Sequence, residues 1–326
     1  MNRLSALGLC FWILSASVAG AQAVEWPTER APRPLPPREV KFPPFQVKTL
    51  ANGMQVVSVS HHEQPAVTMR MLVRVGAAQD PEGKGGLAEL LAKLLDQGTR
   101  TRTAQQIADQ IDSIGGAMGT GSGTDLTFVN AVVMKDSVAL AMDLVADVIR
   151  NPAFSPEEIE RQREQAVSTL RVSAEDPAYV ASTLFDRLVY GFHPYGKPGS
   201  GTAQSLQRVT QDDLRAFHRQ YFVPNNMILA IVGDITSEEA FGAADKVFGS
   251  WPRADVPATK SVEPPPPTRR LVIIDKPDAV QTEIRVGQIA IQRKHPEYLA
   301  FDVAVKILGG EGANRLHRVL RSERGL

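Results

Sequence analysis

The stretch Phe45-Gln-Val-Lys-Thr-Leu-Ala-Asn-Gly-Met-Gln-Val-Val-Ser-Val-Ser60 holds two strand-like runs on either side of Asn52-Gly53. Asn-Gly between such runs is the strongest short-range signal of a β-hairpin. A further strand is predicted over residues 67–75, directly after the hairpin. Strands that follow one another in this way argue against a parallel, doubly wound sheet.

Most residues that follow these strands show the apolar spacing of helices. Apolar residues three and four positions apart, together with capping signals, predict helices over residues 84–96, 103–114, 138–149, 155–172, 179–188 and 237–248, and from residue 210. Strands are predicted over residues 125–134 and 227–232. The glycine-rich run 119–124 lacks the Lys-Ser/Thr of a phosphate loop, so we interpret it as a turn that connects strands. These patterns predict an α+β fold with packed helices on an antiparallel or mixed sheet.

Composition excludes several classes of protein. The 326 residues are 43% apolar and 22% charged, which is typical of a globular protein and not of a disordered or fibrous one. Lysine and arginine number 36, as do aspartate and glutamate, and this balance argues against a nucleic-acid binder. The single cysteine, Cys10, excludes a disulfide framework and a cysteine-based metal site.

The ends of the predicted domains are marked by composition. Residues 1–23 carry an early arginine, a short apolar run and small residues, a pattern typical of a secretory signal peptide; a retained anchor is the alternative. Residues 24–44 form a proline-rich arm, residues 45–251 a first domain and residues 252–268 a proline-rich linker. Residues 269–326 repeat the order of elements, with strands predicted at 270–275 and 282–291 and helices at 296–308 and 313–324. At 58 residues, this second domain is expected to be incomplete.

Four motifs in the chain resemble those of one peptidase family, in the same order and at similar spacing. They are Gly86-Leu-Ala-Glu-Leu-Leu-Ala-Lys-Leu-Leu-Asp-Gln-Gly-Thr99, His193-Pro-Tyr-Gly196 with Gly201-Thr202, Tyr221-Phe-Val-Pro-Asn-Asn-Met227 leading to Val232-Gly-Asp234, and Leu320-Arg-Ser-Glu-Arg-Gly-Leu326. The chain thus resembles the insulinase/pitrilysin family of inverted-motif zinc peptidases. The resemblance implies a metallopeptidase-like first domain followed by a second, truncated domain of the same type.

The zinc motif of that family is degenerate here. The family uses H-x-x-E-H on a helix, in which two histidines bind zinc and the glutamate activates water. Matching the motifs places Glu89 and Lys93 at the two histidines, and Ala92 at the general base. The family's third ligand, a glutamate on a later helix, falls at Thr169. The resemblance therefore implies no catalytic residue and no metal ligand on this chain.

Other interpretations of these residues involve no zinc. Glutamate four residues before lysine is a favoured helical ion pair, worth about 0.3–0.5 kcal/mol. His61-His62-Glu63 is the only cluster of histidines in the sequence, but adjacent side chains on a strand point to opposite faces, which argues against a shared metal. His193 is expected to pack or to form hydrogen bonds.

Arg321 matches an arginine that binds the substrate carbonyl in catalytic members of the family. The tyrosine that accompanies it in the family would fall two residues beyond Leu326. An ordinary solvated helix arginine is the alternative interpretation of Arg321.

The resemblance implies a catalytically inactive subunit that completes the peptide-binding chamber of a zinc-bearing partner of the same family. On this hypothesis zinc is expected on the partner, and an unfolded protein or peptide is the substrate. A stand-alone peptide-binding or scaffold protein, and an active zinc endopeptidase, are the alternatives. The signal peptide predicts export across the inner membrane, into the periplasm, and no later apolar run is long enough to span a bilayer.

Overall fold

The structure is a computed structural model that describes residues 36, 39, 41–258, 262–277, 279–310 and 314–325. By internal contacts the chain divides between Pro43 and Pro44, and all helices and strands of the described residues lie in the second unit. The strands are β1 (Gln46–Thr49), β2 (Gln55–Ser60), β3 (Ala66–Val73), β4 (Ala117–Ser122), β5 (Thr127–Met134) and β6 (Met227–Gly233). The helices are α1 (Leu87–Leu94), α2 (Ala104–Ser113), α3 (Val138–Arg150), α4 (Pro156–Glu175), α5 (Pro177–Tyr190), α6 (Ala203–Gln207), α7 (Gln211–Tyr221), α8 (Ser237–Phe248), α9 (Tyr298–Val305) and α10 (Arg315–His317).

These strands form one mixed sheet in the order β1-β2-β6-β3-β5-β4. The β2–β6 pair is parallel, and the other four neighbouring pairs in this sheet of the described chain are antiparallel. The predicted hairpin is confirmed, with Gly53 at a φ of +89° in its turn. Asn52 does more than turn the chain, because its buried side-chain amide donates to the carbonyls of Phe248 (2.7 Å) and Trp251 (3.0 Å). The hairpin is thereby fixed to the end of α8.

One face of the sheet carries the hydrophobic core. On β3, alternate residues from Val67 to Val73 are fully buried, while Thr68 and Arg70 between them are exposed. Helix α3 packs on β5, α8 packs on β2, and the two helices contact each other. Alternation on the strands and a 3.6-residue period on the helices put both apolar faces into this one layer. The predicted α+β class is confirmed, and so are the helices predicted between residues 84 and 248.

The prediction of a turn over the glycine-rich run is wrong for residues 119–122. These residues belong to strand β4, which pairs with β5 in antiparallel register. A methyl group on Gly121 would lie 2.5 Å from a ring atom of Phe128 on the neighbouring strand. A side chain at this position would have to displace the Phe128 ring, and of the run only Gly123 and Thr124 lie in the turn to β5.

The predicted strands at 270–275 and 282–291 are also wrong. The described residues there form no strand, and side chains such as Leu271 and Val286 are 87% and 91% exposed. A strand needs a neighbour to satisfy its backbone groups, and the described chain places none beside this segment. Helix α9 confirms the predicted helix at 296–308, and π-helical turns extend it over Lys306–Gly310 and follow α10 over Arg318–Glu323.

The domain boundaries predicted from composition stay predictions. Residues 1–23, which carry the predicted signal peptide, lie outside the described residues. The described parts of the proline-rich segments 24–44 and 252–268 contain no helix or strand. In the described part of the chain, no helix is both long and apolar enough to span a bilayer.

Candidate functional site

Helix α1, which carries the degenerate motif, begins at a tightly packed turn. Gly86 precedes the helix with a φ of +91°, and a methyl group there would lie 2.6 Å from the carbonyl oxygen of Ser200. The Ser205 hydroxyl donates to the carbonyl of Gly85 at 2.7 Å, which joins α6 to the same turn. Two of the sequence motifs, the one on α1 and the one at residues 201–202, therefore meet backbone to backbone.

A partly buried carboxylate caps α1. The two oxygens of Asp80 accept hydrogen bonds from the backbone N–H groups of Gly86 (2.7 Å) and Ala88 (2.9 Å). Burial raises the pKa of Asp80 to about 7, although the N–H donors at the helix start oppose this rise. The nearby carboxylate of Glu89 adds to the rise in pKa. The sequence does not single out Asp80, because an aspartate several residues before a helix has no distinctive pattern.

The motif positions on α1 point in two directions. Glu89 and Lys93 lie on the partly exposed side, and their side chains form an ion pair of 2.9 Å, as the interpretation without zinc expects. Ala92 is fully buried, as are Leu87 and Leu91 on the apolar side of the helix. The residue matched to the general base thus has only a methyl group, which lies in the core, and the two residues matched to the histidines neutralise each other's charge.

Thr169, at the third ligand position, lies on α4, which packs against α1. Its side chain is exposed and its hydroxyl donates to the carbonyl of Gln165, one turn earlier in the same helix, at 2.9 Å. Across the described residues, no three histidine, cysteine, aspartate or glutamate side chains come together in a group that could hold a metal ion. The structure therefore brings α1 and α4 together, but the described residues form no group of metal-binding side chains where the two helices meet.

The remaining predicted residues lie apart from one another. His62 binds Asp234 at 2.6 Å and His61 approaches Glu63 at 3.7 Å, so the two adjacent histidines have different partners. His193 accepts a hydrogen bond from the backbone of Tyr195, as expected for a packing role. Arg321 is an exposed residue of the π-helical turn Arg318–Glu323, and its role as a substrate ligand stays a prediction.

A strand edge beside α1 is the feature that sequence reasoning missed. Strand β4 lies at the end of the sheet and packs against α1. Among the described residues, the backbone of Ala117–Ser122 hydrogen-bonds only to β5, so its outer edge keeps free N–H and C=O groups. The alternation of glycine with small residues next to a predicted strand was the signal that could have revealed it.

The tyrosine of the second motif is also fixed near this end of the sheet. The hydroxyl of Tyr195 donates to Asp125 at 2.5 Å, in the turn between β4 and β5. The hydrogen bond to this carboxylate raises the pKa of Tyr195 to about 12. Its ring also stands edge-on to those of His193 and Tyr190. The second motif thus fixes the turn that follows β4.

Comparison with known proteins identifies two matching family models. The model of the insulinase family (peptidase family M16) matches residues 55–202, and that of the peptidase M16 inactive domain matches residues 208–326. A protein of Mycobacterium leprae described as an uncharacterized zinc protease is 29% identical over 283 residues, which are 85% of this chain and 63% of the relative. The chain thus spans less than two thirds of that relative's length.

Solved structures show the same fold. The peptidase M16 inactive domain from Pseudomonas fluorescens matches with a TM-score of 0.75 at 26% identity, over 86% of this chain and 68% of the other. A protease from Helicobacter pylori also matches with a TM-score of 0.75, at 24% identity, over 87% and 70% of the two chains. The second likeness concerns the fold alone.

Proposed function

Since the chain belongs to the insulinase-like peptidase M16 family, two of whose models together match most of its length, we propose that it is a non-catalytic member which binds extended peptides beside α1. It would complete the peptide-binding chamber of a zinc-bearing partner of the same family. The partner supplies the metal and the hydrolytic water. The described chain supplies a surface that holds the substrate.

The ion pair between Glu89 and Lys93 carries the proposal that this chain lacks catalytic zinc. A protonated lysine offers no lone pair to a metal, and here its ammonium group is 2.9 Å from the one carboxylate of the motif. Zinc sites with catalytic water use three protein ligands, and hydrolysis also needs a base. The buried methyl group of Ala92 cannot accept a proton.

The free edge of β4 supports peptide binding. An extended peptide can add to an exposed sheet edge through main-chain hydrogen bonds, which do not depend on the peptide's sequence. The space beside Gly119 of β4 is open, because a methyl group there would meet no other atom within 4 Å. Unfolded segments of many sequences fit such an edge, and a compact folded protein does not.

We propose a zinc-bearing partner because this chain, with its degenerate motif, would bind a peptide at the edge of β4 without hydrolysing it. Relatives of this chain carry the description zinc protease, which is the activity that a partner of the same family would supply. Arg321 is proposed to reach the substrate carbonyl in the joint chamber. The apolar run within residues 1–23 favours an assembly outside the cytoplasm, in the periplasm.

The central experiment measures peptide cleavage by the purified chain, by a zinc-bearing family member of the same organism, and by the mixture. We expect no cleavage and less than stoichiometric zinc for the chain alone, and a raised rate with co-elution for the mixture. Peptide binding without co-elution or a raised rate would favour the alternative, a stand-alone peptide-binding or scaffold protein. Stoichiometric zinc in the chain alone would contradict the proposal.

A gain of zinc binding tests the residue assignment. The triple variant Glu89→His, Lys93→His, Thr169→Glu restores the family's three ligands on two helices that already pack together. We expect it to bind one zinc ion per chain, measured by elemental analysis after dialysis. The matched control carries Ser168→Glu in place of Thr169→Glu, which moves the carboxylate by about 100° around α4. Equal zinc in both variants would show that the assigned third position is wrong.

A further inference from the structure

A cavity of 270 Å³ lies where the end of α3 meets α7, and it shares no lining residue with the motif on α1. Four arginines contribute to its wall, together with one imidazole and one aromatic side chain. These six residues are Arg100, Arg150, Arg215, Arg219, His218 and Phe154, and we call the cavity the arginine pocket.

None of the described residues that line the arginine pocket carries a carboxylate. Within the described part of the chain, none of its four guanidinium groups forms an ion pair. Arg100 donates to the side-chain oxygen of Asn151 at 2.7 Å, and Arg150 stacks on the ring of Trp251 at 5.1 Å. Both arginines are thus held in place by neutral partners, although Arg150 also lines the neighbouring cavity that contains Asp143 and Asp147.

A nearby arginine outside the arginine pocket is paired with carboxylates. Arg102 lies in a neighbouring cavity and binds two carboxylates, Asp143 at 2.5 Å and Asp147 at 2.7 Å. Burial alone would raise the pKa of Asp147, but hydrogen bonds from Asn151, Arg102 and two threonines outweigh it and lower that pKa. The described chain therefore gives one arginine two carboxylates and gives the four of the arginine pocket none.

Two of the four arginines repel each other along one helix. Arg215 and Arg219 are four residues apart on α7, so their side chains project from the same side. Like charges at this spacing destabilise a helix. An anion held between them would remove this repulsion.

His218 contributes an uncharged ring to the wall of the arginine pocket. Its Nε2 lies 2.8 Å from the carbonyl of Ile149, so this nitrogen carries the proton and donates. Burial, together with the positive charges of Arg100 and Arg219, lowers the pKa of His218 to about 4, against the effect of the Ile149 hydrogen bond. The ring stacks on Phe222 with centroids 4.7 Å apart and stands edge-on to Phe154.

The loop behind the pocket is strained and is held by hydrogen bonds to other parts of the chain. Phe154 is the one non-glycine residue in the described chain with a positive φ, at 48°. Its carbonyl accepts a hydrogen bond of 2.7 Å from Gln211, and Ala153 N–H donates to Gly98. A bulky residue in this conformation persists only where its surroundings over-determine it, which is common at binding sites.

We propose that the arginine pocket binds the phosphate group of a phosphomonoester. Several guanidinium groups facing one small cavity match a dianion with oxygens on every side, because each planar fork donates two parallel hydrogen bonds. A single carboxylate offers two oxygens and one charge, so it satisfies fewer of the four forks. The phosphate can come from a soluble metabolite or from the headgroup of an anionic lipid.

The test is calorimetric titration of the full chain with glycerol phosphate at low ionic strength. We expect saturable binding that the double variant Arg215→Ala, Arg219→Ala weakens at least tenfold. The matched control is Arg171→Ala, an exposed helix arginine outside the pocket, which should bind as the unchanged chain does. Circular dichroism establishes that both variants fold.

The outcomes separate the sources of the phosphate and can overturn the proposal. Binding of glycerol phosphate in solution identifies a soluble ligand, while binding only to vesicles that contain phosphatidic acid, lost in the double variant, identifies a lipid headgroup. Acetate that binds as tightly as glycerol phosphate would overturn the proposal. So would equal binding by the double variant and by the Arg171→Ala control, or the absence of any binding.

Discussion

The sheet region of residues 45–251 and the segment after residue 261 differ in what they do with apolar side chains. In the sheet region, Leu91 of α1 and Met71 of β3 are fully buried against other elements. In the later segment, Ile273 and Leu299 are 83% and 75% exposed, although both lie in stretches that the sequence predicts as strand or helix. The same kind of residue is thus core in one region and surface in the other.

An amphipathic pattern becomes buried only where an opposing layer covers its apolar face. Burial of apolar surface stabilises an element only when another element covers it. The helices of the sheet region have the sheet to cover them. Helix α9 has no such layer among the described residues, and none of its residues is buried. Exposed apolar surface of this extent marks a contact site or an aggregation liability.

The largest expected difference between the regions follows from removing one leucine side chain in each. Leu91→Ala leaves a cavity in a fully packed core and should lower the free energy of unfolding by about 2–5 kcal/mol. Leu316→Ala, at a side chain that is 47% exposed, should change it by less than about 0.5 kcal/mol. Urea denaturation followed by circular dichroism measures both. Equal losses would show that the later segment is also packed.

Two asparagines join the sheet to residues 248–254, one through buried and one through exposed hydrogen bonds. Asn52→Ala removes the amide that donates to the carbonyls of Phe248 and Trp251 and the oxygen that accepts from the buried Met54 N–H, and should lower the free energy of unfolding by about 2 kcal/mol. Asn225→Ala is the matched control, because the Asn225 side chain also bonds the backbone of a distant residue, through two exposed hydrogen bonds to Ala254. Water can replace those bonds, so a loss under about 0.5 kcal/mol is expected in the same assay. A similar loss in both variants would contradict a special role for burial.

Local sequence signals predict the elements of the sheet region well. Asn52-Gly53 marks the hairpin, and Ser155 followed by proline and two acids marks the start of α4; its hydroxyl accepts from Glu158 N–H at 3.4 Å. Such signals act within a few residues, so the sequence shows them directly. The ion pair of Glu89 and Lys93 is predictable for the same reason, since both residues share one helix.

Features that depend on distant residues escape prediction. From the sequence alone, Gly121 resembles a turn residue. Its contact with Phe128 depends on the strand register, which the sequence does not show. The two arginines of α7 join Arg100 and Arg150 only after the chain folds, and no spacing rule connects residues so far apart in sequence. The strand wrongly predicted at 270–275 is the reverse case. Its local pattern is typical of a strand, but the described residues provide no neighbouring strand to pair with it.

The partly buried carboxyl of Asp80, which caps α1, should make the stability of the chain depend on pH. The unfolded chain should ionise Asp80 near its ordinary pKa of 3.8, whereas the folded chain ionises it near 7. Between these values the folded state keeps a proton that the unfolded state has lost, so the free energy of unfolding should fall as pH rises from about 4 to 7. The slope from one such group is at most about 1.4 kcal/mol per pH unit.

The variant Asp80→Asn removes that titration and should flatten the pH dependence over this window. Asp109→Asn is the control, because Asp109 lies on an exposed helix surface and accepts a hydrogen bond from Gln105 on the same helix. Urea denaturation at a series of pH values measures the slope for each variant. A slope that persists in Asp80→Asn would mean that the folded carboxyl already ionises at its ordinary pKa.

The smallest expected effect comes from the ion pair that occupies the histidine positions. Each region contains an acid four residues before a lysine on a helix, Glu89 with Lys93 at 2.9 Å and Asp302 with Lys306 at 3.3 Å. Both pairs are partly exposed, so a double-mutant cycle with Glu89→Gln and Lys93→Met should give a coupling energy of about 0.3–0.5 kcal/mol that declines with added salt. The cycle with Asp302→Asn and Lys306→Met should give a similar or smaller value. A much larger coupling in α1 alone would mean that Glu89 and Lys93 are held as part of a site, because a surface ion pair in water cannot supply it.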